Sequence, residues 1–326
     1  MTSFSKILCV VDPTQKPQPG LIRATWLARR SGAALVLLIC CYDEYLSGDL
    51  YLDSKTLEQA RSRMLIAFKG TLEELAGPIR DEGITVATDA VWDHPLFEGI
   101  VRKSIDHKVD VVFKDTHHHS ALSRILFTNT DWNLIRTCPV PLWLVSPKDI
   151  WNEPQVIASI DPLNEHDKPA ALDDQILAIS NSLAVDLGGA VHAFHAYDSR
   201  VAVSTATANV YIPVSLPIDE IDEQVRQQHS KRFAEIVEFH GIPEDRAHLI
   251  SGLTHEELPK LAGELEAAVV VMGAVSRNKL KRLFIGATAE RTLPHLPCDL
   301  LIVKPNPFTT PVESNASNSR KDVQCA

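Results

Sequence analysis

Three short segments in the second half of the chain carry residues suited to binding an anionic ligand. Asp161 ends one apolar run, Gly273 ends another, and Gly286-Ala287-Thr288 follows shortly after Ser276 and Arg277. Glycine allows the backbone to approach a ligand closely, and the free N–H groups at the start of a helix attract anions. The Asp161 carboxylate could accept hydrogen bonds from amine or hydroxyl groups of the same ligand. We therefore interpret these segments as parts of one ligand site.

Asp12 occupies the position in the first half that Asp161 occupies in the second. Both acids precede proline, and an Asp-Pro pair is also typical of a turn. The sequence contains no Ser-His-Asp order, nucleophile elbow or metalloprotease helix motif, so hydrolase chemistry has no support. The two acids are therefore predicted to form turns or to recognise a ligand, and no catalytic residue is predicted.

The triplet His117-His118-His119 raises the question of a metal site, because imidazole is the commonest metal-binding side chain. Consecutive loop residues seldom converge on one ion, and no cysteine or second histidine pair lies at ligand spacing. The sequence therefore predicts no metal, and a loop that faces solvent or a partner. A site that also includes His94 is the alternative.

The candidate site residues belong to a chain that repeats itself. The run Ile7-Leu8-Cys9-Val10-Val11-Asp12-Pro13 returns about 149 residues later as Val156-Ile157-Ala158-Ser159-Ile160-Asp161-Pro162. Near the end of each copy, Pro141-Leu142-Trp143-Leu144-Val145-Ser146-Pro147 is matched by Asp299-Leu300-Leu301-Ile302-Val303-Lys304-Pro305. A period of this length indicates duplication of a whole domain. We predict one domain at 1–150, a second at 151–305, and a disordered tail at 306–326.

Each copy alternates short apolar runs with segments of helical periodicity, which is typical of an α/β fold with a parallel sheet. The runs are continuous in Val, Ile and Leu, as expected for strands buried on both faces. Each copy is therefore predicted to contain five strands. The runs cover 6–11, 34–40, 85–91, 109–114 and 141–146 in the first copy, and 155–160, 190–196, 247–251, 267–272 and 299–303 in the second.

Composition limits the classes of function. The chain has 326 residues and a net charge of −10, with 32 basic and 42 acidic side chains, so direct binding of nucleic acid is not expected. No apolar run approaches the roughly 18 residues of a membrane span. The amino terminus lacks a signal-type segment, and the six cysteines show no disulfide spacing. We predict a cytoplasmic protein that does not contact membranes.

The loop after the fourth strand of the second copy resembles the nucleotide loop of the universal stress protein family in its tandem form. The family pattern is G-x2-G-x9-G-[ST]. Gly273 and Gly286 match it, Ser276 and Ala287 stand at the other two positions, and Thr288 places a hydroxyl one residue late. The resemblance implies two five-stranded domains of strand order 3-2-1-4-5, joined through their last strands as a pseudo-dimer. It also implies an ATP or ADP site in many members.

The first copy departs further from this pattern. Asp115 falls at the first glycine, His118 at the second, and Thr128-Asn129 at the final Gly-Ser pair. Any adenine nucleotide is therefore expected in the second copy.

The leading hypothesis is a non-enzymatic stress-response protein that binds a small ligand and acts through protein partners not identified by the sequence. One alternative is a nucleotide-hydrolysing switch. Another is a carrier of an apolar or nucleotide-linked metabolite, because the apolar, aperiodic segment 201–213 and its counterpart 44–53 could cover a pocket. Packing between the domains would equally explain both segments. A further dimer of the fused pair is an alternative to a single chain.

Overall fold

Ten strands form one continuous sheet through the centre of the molecule. The computed structural model describes residues 4–48, 53–119, 124–148, 151, 153–163, 171–198, 218–274 and 287–313. The strands are β1 Lys6–Val10, β2 Ala34–Cys41, β3 Val86–Trp92, β4 Val111–Asp115, β5 His117–His119, β6 Arg124–Leu126, β7 Leu142–Val145, β8 Gln155–Ser159, β9 Ala190–Tyr197, β10 Ala247–Ser251, β11 Val269–Gly273 and β12 Asp299–Val303.

The order across the large sheet is β10-β9-β8-β11-β12-β7-β4-β1-β2-β3. All pairings are parallel except one, between β12 and β7, where Leu301 lies opposite Trp143. The predicted α/β class and the predicted joining of the two copies through their last strands are therefore confirmed. The antiparallel pairing relates the copies by a pseudo-two-fold axis at this seam.

Helices cover both faces of the sheet, as expected for parallel strands joined by crossovers. Successive strand residues point to opposite faces, so Ile7 and Cys9 lie in one apolar core and Leu8 lies in the other. Helices α1, α2, α5 and α6 pack on the first face, and α3, α4, α7 and α8 pack on the second. The bounds are α1 Pro19–Ser31, α2 Ser54–Asp81, α3 Leu96–Asp106, α4 Asn129–Thr137, α5 Ala171–Leu187, α6 Ile218–Phe239, α7 Thr254–Glu264 and α8 Ala287–Thr292.

The histidine triplet differs from its prediction. It was predicted as a loop, but His117–His119 pairs with Arg124–Leu126 in a separate antiparallel ladder. A polar triplet has no alternation of apolar residues, so its strand could not be recognised from the pattern. Among the described residues, no group of three His, Cys, Asp or Glu side chains could hold a metal ion.

The segment after β12 also differs from its prediction. Residues 306–313, which were assigned to a disordered tail, pack onto the second core through Val312, which is 8% exposed. Arg102 Nε donates to the carbonyl oxygen of Glu313 at 3.1 Å. The tail prediction is corrected for these residues because apolar burial fixes them, while 314–326 lie outside the described residues. None of the helices described is long and apolar enough to cross a membrane.

Candidate functional site

The second-half site lies at the carboxyl edge of the sheet, where two predicted residues come together. Asp161 follows β8, and Gly273 ends β11, the parallel neighbour of β8. Ala287 and Thr288 are the first residues of α8, as the sequence predicted. Ser276, Arg277 and Gly286 lie outside the described residues, as does the proposed covering segment 201–213. The position between strands β8 and β11 is where ligands bind in open parallel sheets.

One further carboxylate adjoins this edge and was missed by the sequence. Asp173, near the start of α5, is 2% exposed and accepts the backbone N–H of Asp161 at 3.1 Å. The carboxylate therefore holds the turn after β8 against the first turn of α5. Asp173 lies twelve residues after Asp161, beyond the range of a local motif.

The first half has a cavity of about 250 Å³ at the equivalent position, between the carboxyl ends of β1 and β4. Asp12, Lys114, Asp115 and Thr128 supply polar groups to its wall. The remainder of the wall is formed by Gln15, Cys40, Thr130 and apolar side chains, which include Val10, Val11, Leu96 and Ile100. Residues 44–48 belong to the counterpart of segment 201–213. They do not cover this cavity with an aromatic side chain, because Tyr45 is 87% exposed.

Asp12 stabilises its own turn. Its Oδ1 accepts the backbone N–H of Thr14 at 2.9 Å and the Thr14 hydroxyl at 2.6 Å, and Gln15 Nε2 donates to Oδ2 at 3.1 Å. Three donors from the next three residues confirm that this acid forms a turn. Its carboxylate nevertheless remains part of the cavity wall.

Asp115 occupies the start of helix α1. Its Oδ1 accepts the backbone N–H of Gly20 at 2.5 Å, one residue after the helix begins at Pro19. The approach is so close that a Cβ on residue 20 would lie 2.9 Å from Oδ1. Burial raises the pKa of Asp115 to about 6, while the Gly20 N–H and the Lys114 ammonium act in the opposite direction.

Asp131 occupies the start of helix α4 in the same way. Thr128 Oγ1 accepts the Asp131 N–H at 3.2 Å, and Asp131 Oδ2 accepts the Thr128 N–H at 2.7 Å, which is a capping box. Asp131 is completely buried, and its Oδ1 lies 2.8 Å from Lys114 Nζ. The Lys114 cation of the cavity is therefore already neutralised by the protein.

These contacts occupy groups of the first half that could otherwise bind an anion. A phosphate at such an edge would need free N–H groups at a helix start and an unpaired cation. In the first half, the Asp115 and Asp131 carboxylates accept hydrogen bonds at the starts of α1 and α4, and Asp131 also pairs with Lys114. Sequence analysis missed the role of Asp131, although the spacing Thr128-Asn129-Thr130-Asp131 is itself a capping signal.

Two pairs of histidines in the second half were also not predicted. His195 Nε2 lies 2.7 Å from His229 Nδ1, and His192 Nδ1 lies 2.9 Å from His248 Nε2. Burial and the neighbouring His248 lower the pKa of His192 to about 4. His192 is therefore neutral near pH 7 and forms a hydrogen bond with His248.

A doubly wound parallel sheet, duplicated and fused edge to edge through its last strands, defines a tandem α/β protein. The chain belongs to the Universal stress protein family, whose sequence profile matches residues 3–146 and 166–304.

Relatives and solved structures support this assignment over nearly the whole chain. Universal stress protein E of Escherichia coli strain K12 is 30% identical over 314 residues, covering 96% of this chain and 98% of the relative. The Universal stress protein E homolog of Haemophilus influenzae is 26% identical and covers 93% and 98%. The fold is similar to that of a putative universal stress protein from Pseudomonas aeruginosa, with a TM-score of 0.68, 23% identity and coverage of 93% and 94%.

Proposed function

We propose that this chain is a cytoplasmic, non-enzymatic stress-response protein that binds an adenine nucleotide in its second half and acts through protein partners. The internal comparison of the two copies carries the proposal. In the repeat, Asp115 corresponds to Gly273, and Asp131 corresponds to Ala289. The two carboxylates that cap α1 and α4 in the first half are thus absent from the second.

The replacement of these two carboxylates by Gly273 and Ala289 favours binding of an anionic ligand in the second half. Removing Asp131 at the start of α4 would leave the backbone N–H of Thr128 without its acceptor, and Ala289 stands at the corresponding place in α8. A phosphate group can accept hydrogen bonds from N–H groups at such positions. Gly273 and Gly286 supply the backbone access that phosphate contact requires, and the family resemblance implies ATP or ADP as the ligand.

The nucleotide assignment is tested by calorimetric titration with ATP. The native chain is expected to bind one ATP, and Gly286→Leu is expected to abolish binding because a side chain would block the approach of phosphate to the backbone. The matched change in the first half, Thr128→Leu, is expected to leave affinity within about threefold of native. Loss of binding in the Thr128 variant alone would reverse the assignment of the two halves.

We further expect ATP turnover no faster than background. Phosphoryl transfer needs Mg²⁺ ligands, cations on the phosphates and an oriented nucleophile. Asp173, one of the carboxylates described at this edge, is buried and engaged with the backbone N–H of Asp161. The check is single-turnover hydrolysis with Mg²⁺, for the native chain and for Asp161→Ala. Hydrolysis clearly above background that disappears in the variant would establish the hydrolysing switch instead.

A further inference from the structure

The seam between the two copies has two ends, which the pseudo-two-fold axis relates to each other. We name them the Asp299 junction and the Lys304 junction. In the repeat, Asp299 corresponds to Pro141, and Lys304 corresponds to Ser146. β12 and β7 pair around Leu301 and Trp143. At one end Asp299, the first residue of β12, therefore lies near Ser146, which follows β7. At the other end Pro141, which precedes β7, lies near Lys304, which follows β12.

The Asp299 junction contains a carboxylate that is fully satisfied. Asp299 Oδ2 accepts from Arg23 Nε at 3.0 Å and from Trp143 Nε1 at 3.0 Å. Its Oδ1 accepts from the backbone N–H of Ser146 at 2.9 Å and from the Ser146 hydroxyl at 2.8 Å. Arg23 is 2% exposed, stacks on Trp151 at 4.0 Å from the ring centre, and is neutralised by this carboxylate.

The Lys304 junction contains a buried cation and lacks the matching carboxylate. Lys304 is 7% exposed, and Pro141 stands where the Asp299 junction has its acid. Within the described part of the chain, Lys304 Nζ has no ion pair; it lies 3.5 Å from the carbonyl oxygen of Ala274 and 5.0 Å from the centre of the Phe308 ring. A buried ammonium without an anion is unfavourable by several kcal/mol.

Space for an anion is present beside this cation. A cavity of about 450 Å³ is lined by Lys304 and Pro141 together. Pro139, Ile179 and Phe308 give it apolar walls, and the amides of Gln175 and Asn306 add polar groups.

We propose that the Lys304 junction binds a small organic carboxylate with an apolar body. Its carboxylate pairs with Lys304 and replaces the acid that Asp299 provides at the other junction, while the body contacts the proline, isoleucine and phenylalanine walls. This site differs from the nucleotide position in its lining, which lies at the β7–β12 seam and includes residues of both copies. The two positions adjoin at Ala274, whose carbonyl oxygen contacts Lys304 and which follows Gly273.

Benzoate is a suitable probe, and benzamide is its neutral isostere. Calorimetric titration near pH 7 is expected to show benzoate binding at least tenfold tighter than benzamide. Lys304→Met, which keeps an unbranched side chain one atom shorter and removes the charge, is expected to weaken benzoate binding at least tenfold. Burial and the nearby Arg136 lower the pKa of Lys304 to about 8, while Cys138 acts in the opposite direction. Benzoate affinity is therefore expected to fall as pH rises above about 8.

The internal symmetry supplies a second variant. Pro141→Asp places a carboxylate where the Asp299 junction has one, and is expected to pair with Lys304 and to weaken benzoate at least tenfold. Both variants are compared with the native chain by circular dichroism and urea unfolding, so loss of binding is scored only for folded protein. Lys304→Met is expected to unfold at the same or a higher urea concentration. Equal benzoate affinity in native, Lys304→Met and Pro141→Asp chains, equal binding of benzamide, or no benzoate binding at millimolar concentration would each overturn the proposal.

Discussion

Asp115 combines deep burial with incomplete hydrogen bonding. It is 5% exposed, and its Oδ2 has no hydrogen-bond partner among the described residues, although Oδ1 accepts from Gly20. The neighbouring carboxylates Asp12 and Asp299 add to the effect of burial on its pKa. Burial at this position therefore shifts the carboxyl group toward its protonated form.

Stability is therefore expected to depend on pH through Asp115. Its pKa rises from the ordinary 3.8 to about 6 on folding, so between these values the folded state holds a proton that the unfolded state has lost. Stability consequently falls as pH rises through this window, by about 3 kcal/mol in total. Asp115→Asn removes the charge and keeps an acceptor for Gly20. The variant is expected to be more stable than native near pH 7 by up to about 3 kcal/mol, with little difference near pH 4.

Urea unfolding of both chains at several pH values measures this difference, and effects of other carboxylates cancel in the comparison. An Asn variant that is less stable than native near pH 7 would show that the ionised carboxylate is needed at the start of α1.

Strands and helix starts differ in how far the sequence determines them. The ten strands of the large sheet were predicted within about two residues. A continuous apolar run such as Val269–Gly273 buries both of its faces when it forms a strand covered by helices on each side. The meeting of Asp161 and Gly273 was predictable for the same reason, since adjacent parallel strands end at one edge. The ion pair of Lys114 with Asp131 was not, because it depends on how α4 packs on the sheet.

The two candidate capping boxes show this limit directly. The spacing of Thr254 and Glu257 fits a capping box, but Leu253 precedes α7 and no side chain caps it. Glu257 instead packs against Gly252. A Cβ at Gly252 would collide with the Glu257 side chain, and the φ of 151° also disfavours a side chain there. The actual box lies at Thr128 and Asp131, where a similar spacing occurs. Local spacing was alike at both sites, and tertiary packing decided between them.

Substitution of the two threonines is expected to separate these positions. Thr128→Ala removes the acceptor for the Asp131 N–H and should destabilise the protein by about 1 kcal/mol. Thr254→Ala is the matched control at a helix start without a side-chain cap, and should change stability by less than about 0.5 kcal/mol. Urea unfolding at neutral pH measures both. A larger loss at Thr254 would place the functional cap at α7.

At the scale of the whole molecule, the two copies are joined by more than a linker. The β7–β12 pairing makes one sheet of both, and the apolar cores on each face include residues from both copies. Arg30 Nη1 also donates to the carbonyl oxygen of Leu187 across the copies at 3.0 Å. Folding of one copy is therefore expected to be coupled to folding of the other.

The Asp299 junction is the point at which this coupling is most sensitive to a single change. Asp299→Asn keeps the shape of the side chain but removes the carboxylate charge that faces the buried Arg23 guanidinium. Loss of one partner from a buried pair destabilises by about 3–5 kcal/mol. Urea unfolding followed by tryptophan fluorescence reports directly on this region, because Trp143 bonds to Asp299 and Trp151 stacks on Arg23. Glu223→Gln, which breaks the exposed pair with Arg226, is the control and should change little. If Asp299→Asn were as stable as this control, the seam would owe its stability to strand pairing and apolar packing rather than to the buried carboxylate.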